Sequence, residues 1–256
     1  MVSWGTRRKY LIVASFAILF LGVFSLYGFV TFYEPASCFD GKQNKDEVGI
    51  DCGGSCVRFC EDRTLNLLVH WQRFFYINDG MYNAVAYIEN TDPRSGSQSV
   101  SYVFKLYDRE SVLVAERAGT VTIPPQRIVP VFEGAITTGH RLPFRSVFEF
   151  EGRAEWVSLR DGVPSVRVVR EHLQDENTLP LLQATLENRN NIELTDVEVI
   201  AIIYDRQNNA QTASKTVIPY VEPLGSSPLL FSWPSPFGFT VGRIEIVPRL
   251  YPGVNF

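Results

Sequence analysis

A long uncharged stretch near the start of the chain constrains its fold and location more than any other feature. Residues 10–33, centred on LIVASFAILFLGVFSLYGFV, contain no charged side chain over 24 positions. A helix needs about 20 apolar residues to cross the hydrocarbon core of a bilayer, so this run predicts a transmembrane helix. Basic residues at positions 7–9 precede it, and such residues beside a first helix favour a cytoplasmic N-terminus. We therefore expect a single-pass membrane protein whose chain after Glu34 lies outside the cytoplasm.

Three other interpretations of this stretch remain open at the level of sequence. A buried core helix would have this length, but soluble helices normally carry polar residues on one face. A cleaved signal peptide has an apolar region of about 7–15 residues, which is shorter than this run. Residues 35–38, PASC, resemble a lipoprotein cleavage box, with proline where a leucine-like residue is expected. An uncleaved anchor is the preferred interpretation, with Tyr10, Tyr27 and Tyr33 at the membrane interfaces.

All four cysteines of the chain lie in one short segment. They are Cys38, Cys52, Cys56 and Cys60. Thiols are oxidised outside the cytoplasm, so we expect two disulfides, and four cysteines allow three pairings that sequence does not distinguish. A structural zinc site is the alternative. Zinc sites usually have two C-x₂₋₄-C pairs separated by a longer loop, whereas the spacing here is C-x₁₃-C-x₃-C-x₃-C.

The same segment carries a cluster of oxygen-bearing side chains among glycines. Its members are Asp40, Asn44, Asp46, Glu47 and Asp51. Hard oxygen donors of this kind suit calcium, although their spacing does not match the EF-hand loop. Calcium is therefore the one cofactor that the sequence suggests. The alternative is that these residues form turns and solvate the surface.

The cysteine segment also resembles a small extracellular module of the form C-x-DG-x-x-N-x-DE-x-G-x-DCGG-x-C, which is found in many secreted and surface proteins. The matching positions are Cys38, Asp40, Gly41, Asn44, Asp46, Glu47, Gly49, Asp51, Cys52, Gly53, Gly54 and Cys56. The resemblance implies a secreted context and a disulfide-stapled spacer. It implies no chemistry.

The rest of the chain contains an internal repeat. Glu89-Asn90 matches Glu187-Asn188 at an offset of 98 residues, and Tyr107-Asp108-Arg109 matches Tyr204-Asp205-Arg206 at an offset of 97. Further matches keep the offset between 95 and 99. Small drifts of this kind are what loop-length changes between two copies of one domain produce.

Each copy has the hydrophobic alternation of β-strands. The residues expected to face the core are Val100, Tyr102, Phe104 and Leu106 in the first copy and Val197, Val199, Ala201 and Ile203 in the second. A period of two is typical of a half-buried strand, and short strands over about 90 residues indicate an antiparallel sandwich. Lys105 and Ile202 fall on the opposite face. An apolar residue there suggests either a second buried surface or a partner site.

The predicted fold is all-β, with two tandem antiparallel immunoglobulin-like β-sandwich domains. The expected segments are a cytoplasmic tail (1–9), a transmembrane helix (10–33), a cysteine-rich module (34–64), a first sandwich (65–152), a linker (153–162) and a second sandwich (163–256).

The first copy also contains a literal F-x-L-Y-D signature. It consists of Phe104, Leu106, Tyr107 and Asp108 within YVFKLYD. The repeat is therefore similar to the FxLYD-type family of immunoglobulin-like domains on prokaryotic envelope proteins. The second copy keeps Tyr204 and Asp205 but has alanine and isoleucine for the Phe and Leu. The resemblance implies a fold and an extracytoplasmic location, and it supplies no catalytic residue.

Residues that could carry chemistry are few. His70, His140 and His172 match no metal-binding spacing, and neither a nucleophile elbow nor a phosphate-binding glycine loop is found in the sequence. The tyrosines and aspartates of the repeated Tyr-Asp pair are expected to be structural, with each aspartate capping a turn. The tryptophans at positions 71, 156 and 233 either belong to the core or form a binding patch.

Charge and motif content together indicate a non-enzymatic protein. Beyond the basic residues at positions 7–9, 21 basic residues face 28 acidic ones, so the chain lacks the basic surface that nucleic-acid binding requires. We expect an envelope protein that binds another protein or surface component or acts as a spacer. The alternative is an accessory subunit of a membrane secretion, pilus or transport complex.

Overall fold

The protein is mostly β-structure preceded by one helix. The computed structural model describes residues 4–32, 37–60, 67–93, 95–152, 154–158 and 164–250. The predicted boundaries at residues 34, 64, 153 and 163 lie outside these ranges, as do Tyr33 and residues 251–256. The chain forms two compact units, Met1–Gly54 and Ser55–Phe256, and each is described by itself.

The N-terminal helix has the properties of a membrane span. Helix α1 covers Trp4–Phe32, so it begins six residues before the predicted start at Tyr10. Its segment Arg7–Thr31 has a mean hydropathy of 2.3 and is 0% buried. A core helix of a soluble protein would bury one face or all of its surface. The core-helix interpretation is therefore excluded, and the apolar helix is long enough to cross a bilayer.

In the part of the chain that the structure describes, thirteen strands follow the helix. They are β1 (Leu67–Asn78), β2 (Met81–Asn90), β3 (Ser95–Tyr107), β4 (Leu113–Ile123), β5 (Arg127–Thr137), β6 (Arg145–Glu151), β7 (Val157–Ser158), β8 (Val166–Gln174), β9 (Leu181–Asn188), β10 (Leu194–Asp205), β11 (Ala210–Val221), β12 (Ser226–Ser232) and β13 (Val241–Arg249). The β1–β2 hairpin turns at Asp79-Gly80, where Gly80 has φ of +69°. Asp-Gly is favoured in two-residue hairpins because the glycine adopts positive φ without strain.

The strands form two antiparallel sandwiches with the same topology. The first contains the sheets β1-β2-β5 and β4-β3-β6, with β7 added to β3, and the second contains β8-β9-β12 and β11-β10-β13. Strand for strand, the order in the second sandwich repeats that in the first. The structure thus shows the predicted all-β tandem fold.

The predicted alternation places the expected residues in the two cores. Val100, Tyr102, Phe104 and Leu106 of β3 lie in the first core, and each is at most 4% exposed. Val197, Val199, Ala201 and Ile203 of β10 lie in the second core and are at most 2% exposed. The strand register expected from the sequence is therefore correct.

A third apolar cluster lies between the sandwiches. It joins residues from the outer face of β1-β2-β5 with residues from the outer face of β11-β10-β13. The four sheets therefore stack face to face in the order β4-β3-β6, β1-β2-β5, β11-β10-β13, β8-β9-β12. We call the contact between the two middle sheets the joint.

Candidate functional site

All four cysteines are disulfide-bonded, and none is free. The predicted pair of disulfides is therefore present. In the first unit, Gly54 has φ of +58°, and a Cβ there would lie 2.0 Å from the carbonyl oxygen of Asp46. Only glycine fits this close backbone approach, which explains the second glycine of the DCGG sequence.

The acidic residues of the cysteine segment organise its turns. One carboxylate oxygen of Asp51 accepts a hydrogen bond from the backbone N–H of Asp40 at 3.0 Å, and the other accepts one from Gly41 at 2.9 Å. The Asp40 carboxylate accepts from the Asn44 side chain at 2.8 Å and from the Lys42 backbone at 2.9 Å. The bond from Asn44 is the main cause that lowers the pKa of Asp40.

Another predicted calcium ligand has a turn-forming role as well. The carboxylate of Glu47 accepts a hydrogen bond from the backbone N–H of Asn44 at 3.0 Å. Carboxylates that accept from turn N–H groups are typical of Asx-type turns. The turn-forming role that the sequence allowed is thus observed for Asp40, Glu47 and Asp51, and calcium binding by this cluster stays a prediction.

The aspartates of the repeated Tyr-Asp pair cap equivalent turns. Asp108 follows β3, and its carboxylate accepts hydrogen bonds from the N–H groups of Glu110 at 3.1 Å and Val112 at 2.8 Å. Asp205 at the end of β10 accepts from Gln207 at 2.9 Å and Asn209 at 2.8 Å. The N–H donated by Asn209 is the main cause that lowers the pKa of Asp205. Both aspartates therefore hold a strand end in place.

The tyrosines of the same pair contact arginines across the sheet. Tyr107 is the register partner of Arg145, whose guanidinium lies 4.9 Å from the ring centroid. Tyr204 is the register partner of Arg243, whose guanidinium lies 3.8 Å from the ring centroid. These cation–π contacts are a second repeated feature, and sequence reasoning missed the arginines. The offset of 98 between them was the available signal.

Two buried asparagines were also missed as structural residues. Asn90 is 1% exposed, and its side-chain nitrogen donates to the carbonyl oxygens of Ser95 at 2.7 Å and Pro124 at 3.0 Å. Asn188 is 2% exposed and donates to the carbonyls of Ile192 at 2.8 Å and Glu222 at 2.9 Å. Each asparagine ties together two loops at the same end of its sandwich. The Glu-Asn match in the repeat marked both positions.

The apolar part of the joint includes the residue that the sequence left ambiguous. Ile202 on the outer face of β10 is 0% exposed. It belongs to one cluster with Ile200 and Tyr204 of the second sandwich and with Phe75, Val85 and Phe132 of the first. Of the two roles expected for an apolar residue on this face, the structure shows a second buried surface within the chain itself.

Hydrogen bonds from side chains to backbone carbonyls also cross the joint. Arg73 of β1 donates from its guanidinium to the carbonyl of Ala210 at 3.0 Å. Asn83 of β2 donates from its amide to the carbonyl of Ala213 at 3.2 Å. Both acceptors lie on β11, so side chains of two neighbouring strands in the first sandwich orient one strand of the second.

Glu245 of β13 is the polar centre of the joint. Its carboxylate accepts hydrogen bonds from the hydroxyls of Tyr87, across the joint, and of Tyr204 at 2.9 Å, and it forms an ion pair with Arg243 at 3.0 Å. Burial and these bonds raise the pKa of Tyr204 to about 12 and raise the pKa of Tyr87 further. Both tyrosines are therefore neutral donors at physiological pH, a structural arrangement that fixes the two sandwiches.

The tryptophans and histidines have separate environments. Trp233 is 7% exposed and lies in the second core, and Trp156 packs against the first. Trp71 is half-buried and stacks on Tyr87 at the joint with 5.2 Å between ring centroids. His70 contacts Glu89 at 2.7 Å, whereas the other two histidines, at positions 140 and 172, are exposed on different sandwiches.

Comparisons with known proteins add little. No protein-family model and no curated protein sequence match this chain. A red sea bream transglutaminase structure is similar with 11% identity and a TM-score of 0.27, over 73% of this chain and 29% of that one. A Parabacteroides merdae β-glucuronidase structure has 12% identity and a TM-score of 0.21, over 67% and 28%. The chain spans less than a third of either protein, and scores this low carry no argument about function.

Fold and joint together define the class of this chain. It is a protein with an apolar N-terminal helix, a disulfide-bonded segment and two β-sandwiches fixed face to face.

Proposed function

We propose that this is a single-pass membrane protein of the cell envelope, with a cytoplasmic N-terminus and both sandwiches outside the cytoplasm. The observation that carries the proposal is the combination of a fully exposed apolar helix with four oxidised cysteines after it. Disulfides persist in oxidising compartments. The basic residues at positions 7–9 favour a cytoplasmic N-terminus.

Retention of the helix as an anchor follows from its length. The uncharged stretch of residues 10–33 has 24 residues, whereas the apolar region of a signal peptide has about 7–15. The resemblance of the cysteine segment to a module of secreted and surface proteins supports an external location. So does the resemblance of the first sandwich to the FxLYD-type envelope domains, which we assign to both copies on the strength of their common topology.

The role of the sandwiches is non-enzymatic binding or spacing. The side chains with the largest pKa shifts are Tyr87, Tyr102 and Tyr204, and each donates its hydroxyl to a glutamate. Burial is the main cause of each shift, so these are neutral packing groups. A face-to-face joint also suits a rigid support, because it fixes the orientation of one sandwich on the other.

Protease accessibility tests the proposed location. Protease added to spheroplasts should remove the mass after Glu34 and spare the N-terminal tail, because only the former lies outside. An antibody tag at each terminus reports which part survives. Protection of a C-terminal tag in intact spheroplasts, with digestion after lysis, would contradict the proposed orientation and with it the extracytoplasmic role.

Chemical cross-linking distinguishes the binding role from that of a complex subunit. Cross-linking in intact cells followed by mass spectrometry should yield an envelope component as the partner of a binding protein. Stoichiometric recovery of a membrane secretion, pilus or transport machine would instead identify an accessory subunit.

A further inference from the structure

A cleft of about 340 Å³ lies where the two sandwiches meet. Among the residues that line it are Arg127–Val129 of β5 and Glu245–Leu250 in and just after β13. Ligand sites occur preferentially at domain interfaces, and this volume falls within the usual range of about 300–1,000 Å³. The cleft is therefore large enough for a few residues of an extended chain.

The strands β5 and β13, which supply most of the residues that line the cleft, are both edge strands. Among the described strands, β13 is hydrogen-bonded only to β10, and β5 only to β2. An edge strand presents unpaired backbone N–H and C=O groups along its open side, which is a template for pairing with another chain. The cleft thus contains backbone hydrogen-bonding groups from two sheets.

Prolines in β13 and β5 indicate which residues of these strands point their backbone N–H and C=O groups toward the open edge. Pro248 of β13 has no N–H, so its nitrogen faces the open edge, where no ladder bond is lost. Alternate residues of a strand point their backbone groups to the same side, so Ile246 presents both its N–H and its C=O there. By the same argument Pro130 of β5 places the backbone groups of Ile128 at the open edge. All of these residues except Pro130 line the cleft.

The charges around the cleft favour an acidic occupant. Arg127 is exposed and makes no ion pair with any residue that the structure describes. Arg249 lies 2.8 Å from Glu198, so its charge is paired. Glu245 is already bonded to Arg243 and to two tyrosines. A net positive charge remains at the cleft wall.

We propose that this cleft binds an extended acidic peptide segment of a partner protein, which adds to the open edge of β13 as a further strand and pairs a carboxylate with Arg127. This mode of recognition takes affinity from main-chain hydrogen bonds and specificity from alternate side chains. Because neighbouring residues of a strand face opposite sides, acidic residues at every second position would all face the first sandwich. The inference rests on the extracytoplasmic binding role proposed above, and it names the class of partner.

A designed peptide tests the site directly. The probe is a fluorescein-labelled octapeptide of alternating glutamate and valine, titrated against the full-length protein in nanodiscs. We expect saturable binding below about 1 mM, and no saturation in that range would overturn the proposal. The octapeptide of alternating lysine and valine should bind at least about tenfold more weakly because of the charge at Arg127. A fully N-methylated acidic peptide should not bind, because it lacks backbone donors. Equal binding of either control peptide would overturn the proposal.

Substitutions locate the binding at the cleft. Arg127→Glu should weaken binding of the acidic peptide at least about tenfold by replacing an attractive charge with a repulsive one. Arg167→Glu on β8 is the matched control, because Arg167 is exposed and does not line the cleft. Equal losses in the two variants would contradict the assignment. A thermal melt checks that each variant folds, and Arg127→Gln replaces Arg127→Glu if the charge reversal prevents folding.

The result is independent of the test of location. Failure of the peptide to bind, with the sandwiches accessible to external protease, overturns the cleft assignment alone. Sandwiches protected in the cytoplasm would overturn the proposed function whether or not the peptide binds.

Discussion

Equivalent sheet faces of the two sandwiches differ in how far their central residues are buried. At equivalent register positions, β3 of the first sandwich carries Val103, Lys105 and Tyr107, and β10 of the second carries Ile200, Ile202 and Tyr204. Ile202 is fully buried in the joint, whereas Lys105 pairs with Glu149 at 2.6 Å and is partly exposed. A lysine in place of an isoleucine therefore separates a partly exposed ion pair from a buried contact between two domains, although Val103 on the same face of β3 is also buried.

The outer face of the sheet β1-β2-β5 also differs from the equivalent face of β8-β9-β12, since only the former is buried in the joint. Val85 and Phe132 are register partners in the first sandwich, and both belong to the joint. The corresponding partners in the second sandwich are Gln183 and Leu230, and both are exposed. Repeat arrays need polar outer faces on their terminal units. A glutamine thus lies in the second sandwich where the first has a buried valine, and the exposed Leu230 lies where the first has the buried Phe132.

Of the substitutions proposed, the exchange of Ile202 and Lys105 should change the free energy of unfolding the most. Ile202→Lys places a charge in the buried joint, where its register partner Glu245 is already bonded to Arg243 and two tyrosines. It should destabilise the protein by about 3–5 kcal/mol. The reciprocal Lys105→Ile removes an ion pair that is partly exposed and should cost no more than about 1 kcal/mol. Chemical denaturation followed by tryptophan fluorescence measures both. Equal losses of stability in the two variants would mean that the faces of β3 and β10 do not differ in burial.

The core positions beneath the two faces should respond alike. Leu106 and Ile203 are both fully buried, so truncation of either to alanine should cost about 2–5 kcal/mol through lost burial and the cavity left behind. Lys105→Ala beside Leu106 removes the ion pair with Glu149 and should cost no more than about 1 kcal/mol. The same denaturation experiment applies. If Leu106→Ala and Lys105→Ala shift stability equally, the strand register and the repeat alignment are both wrong.

The two buried loop asparagines, Asn90 and Asn188, should contribute equally to the stability of their own sandwiches. Asn90→Ala leaves two buried carbonyl groups without their donor, and Asn188→Ala leaves two partly buried ones. Each substitution should cost about 1–3 kcal/mol. Asn191→Ala is a matched control at an exposed position and should stay within about 0.5 kcal/mol of the wild type. A loss in only one copy, measured by denaturant midpoint, would show that the loops are not equivalent.

Raising the pH above 10 should weaken the joint, with the smallest expected loss of stability. Burial and Glu245 raise the pKa of Tyr204 to about 12 from its ordinary value of 10.0, so the folded state holds the proton more tightly than the unfolded state. Its contribution is complete below pH 10 and is lost as the pH rises from 10 to 12. We expect a loss of about 1 kcal/mol over this interval. Tyr204→Phe should flatten this part of the pH profile of stability. If the wild type and the variant lose stability in parallel between pH 10 and 12, Tyr204 does not cause the loss.

The pattern of single strands was enough to predict the cores. Alternation in β3 and β10 fixes which side chains share a face, because the side-chain period of a strand is two. The turn-capping role of Asp108 and Asp205 was equally local, since each carboxylate bonds to N–H groups within four residues. The apolar helix followed from length and composition alone.

The joint could not be predicted in the same way. Asn83 and the carbonyl of Ala213 are separated by 130 residues, and Tyr87 and Glu245 by 158. Alternation shows that Ile202 leaves the core, but it does not show whether the surface that covers it belongs to this chain or to a partner. The cleft beside the joint depends on two edge strands from different sandwiches and was missed for the same reason.

Hydrogen–deuterium exchange tests the joint most directly. With the full-length protein in nanodiscs, Ile202→Lys should raise exchange in residues 71–87 of the first sandwich, although the substitution lies in the second. Loss of the joint exposes β1 and β2, and local opening governs exchange in native proteins. Lys105→Ala should leave exchange in the second sandwich unchanged. If Ile202→Lys raises exchange only in β10 and β11 and leaves residues 71–87 as in the wild type, the face of Ile202 does not join the two sandwiches.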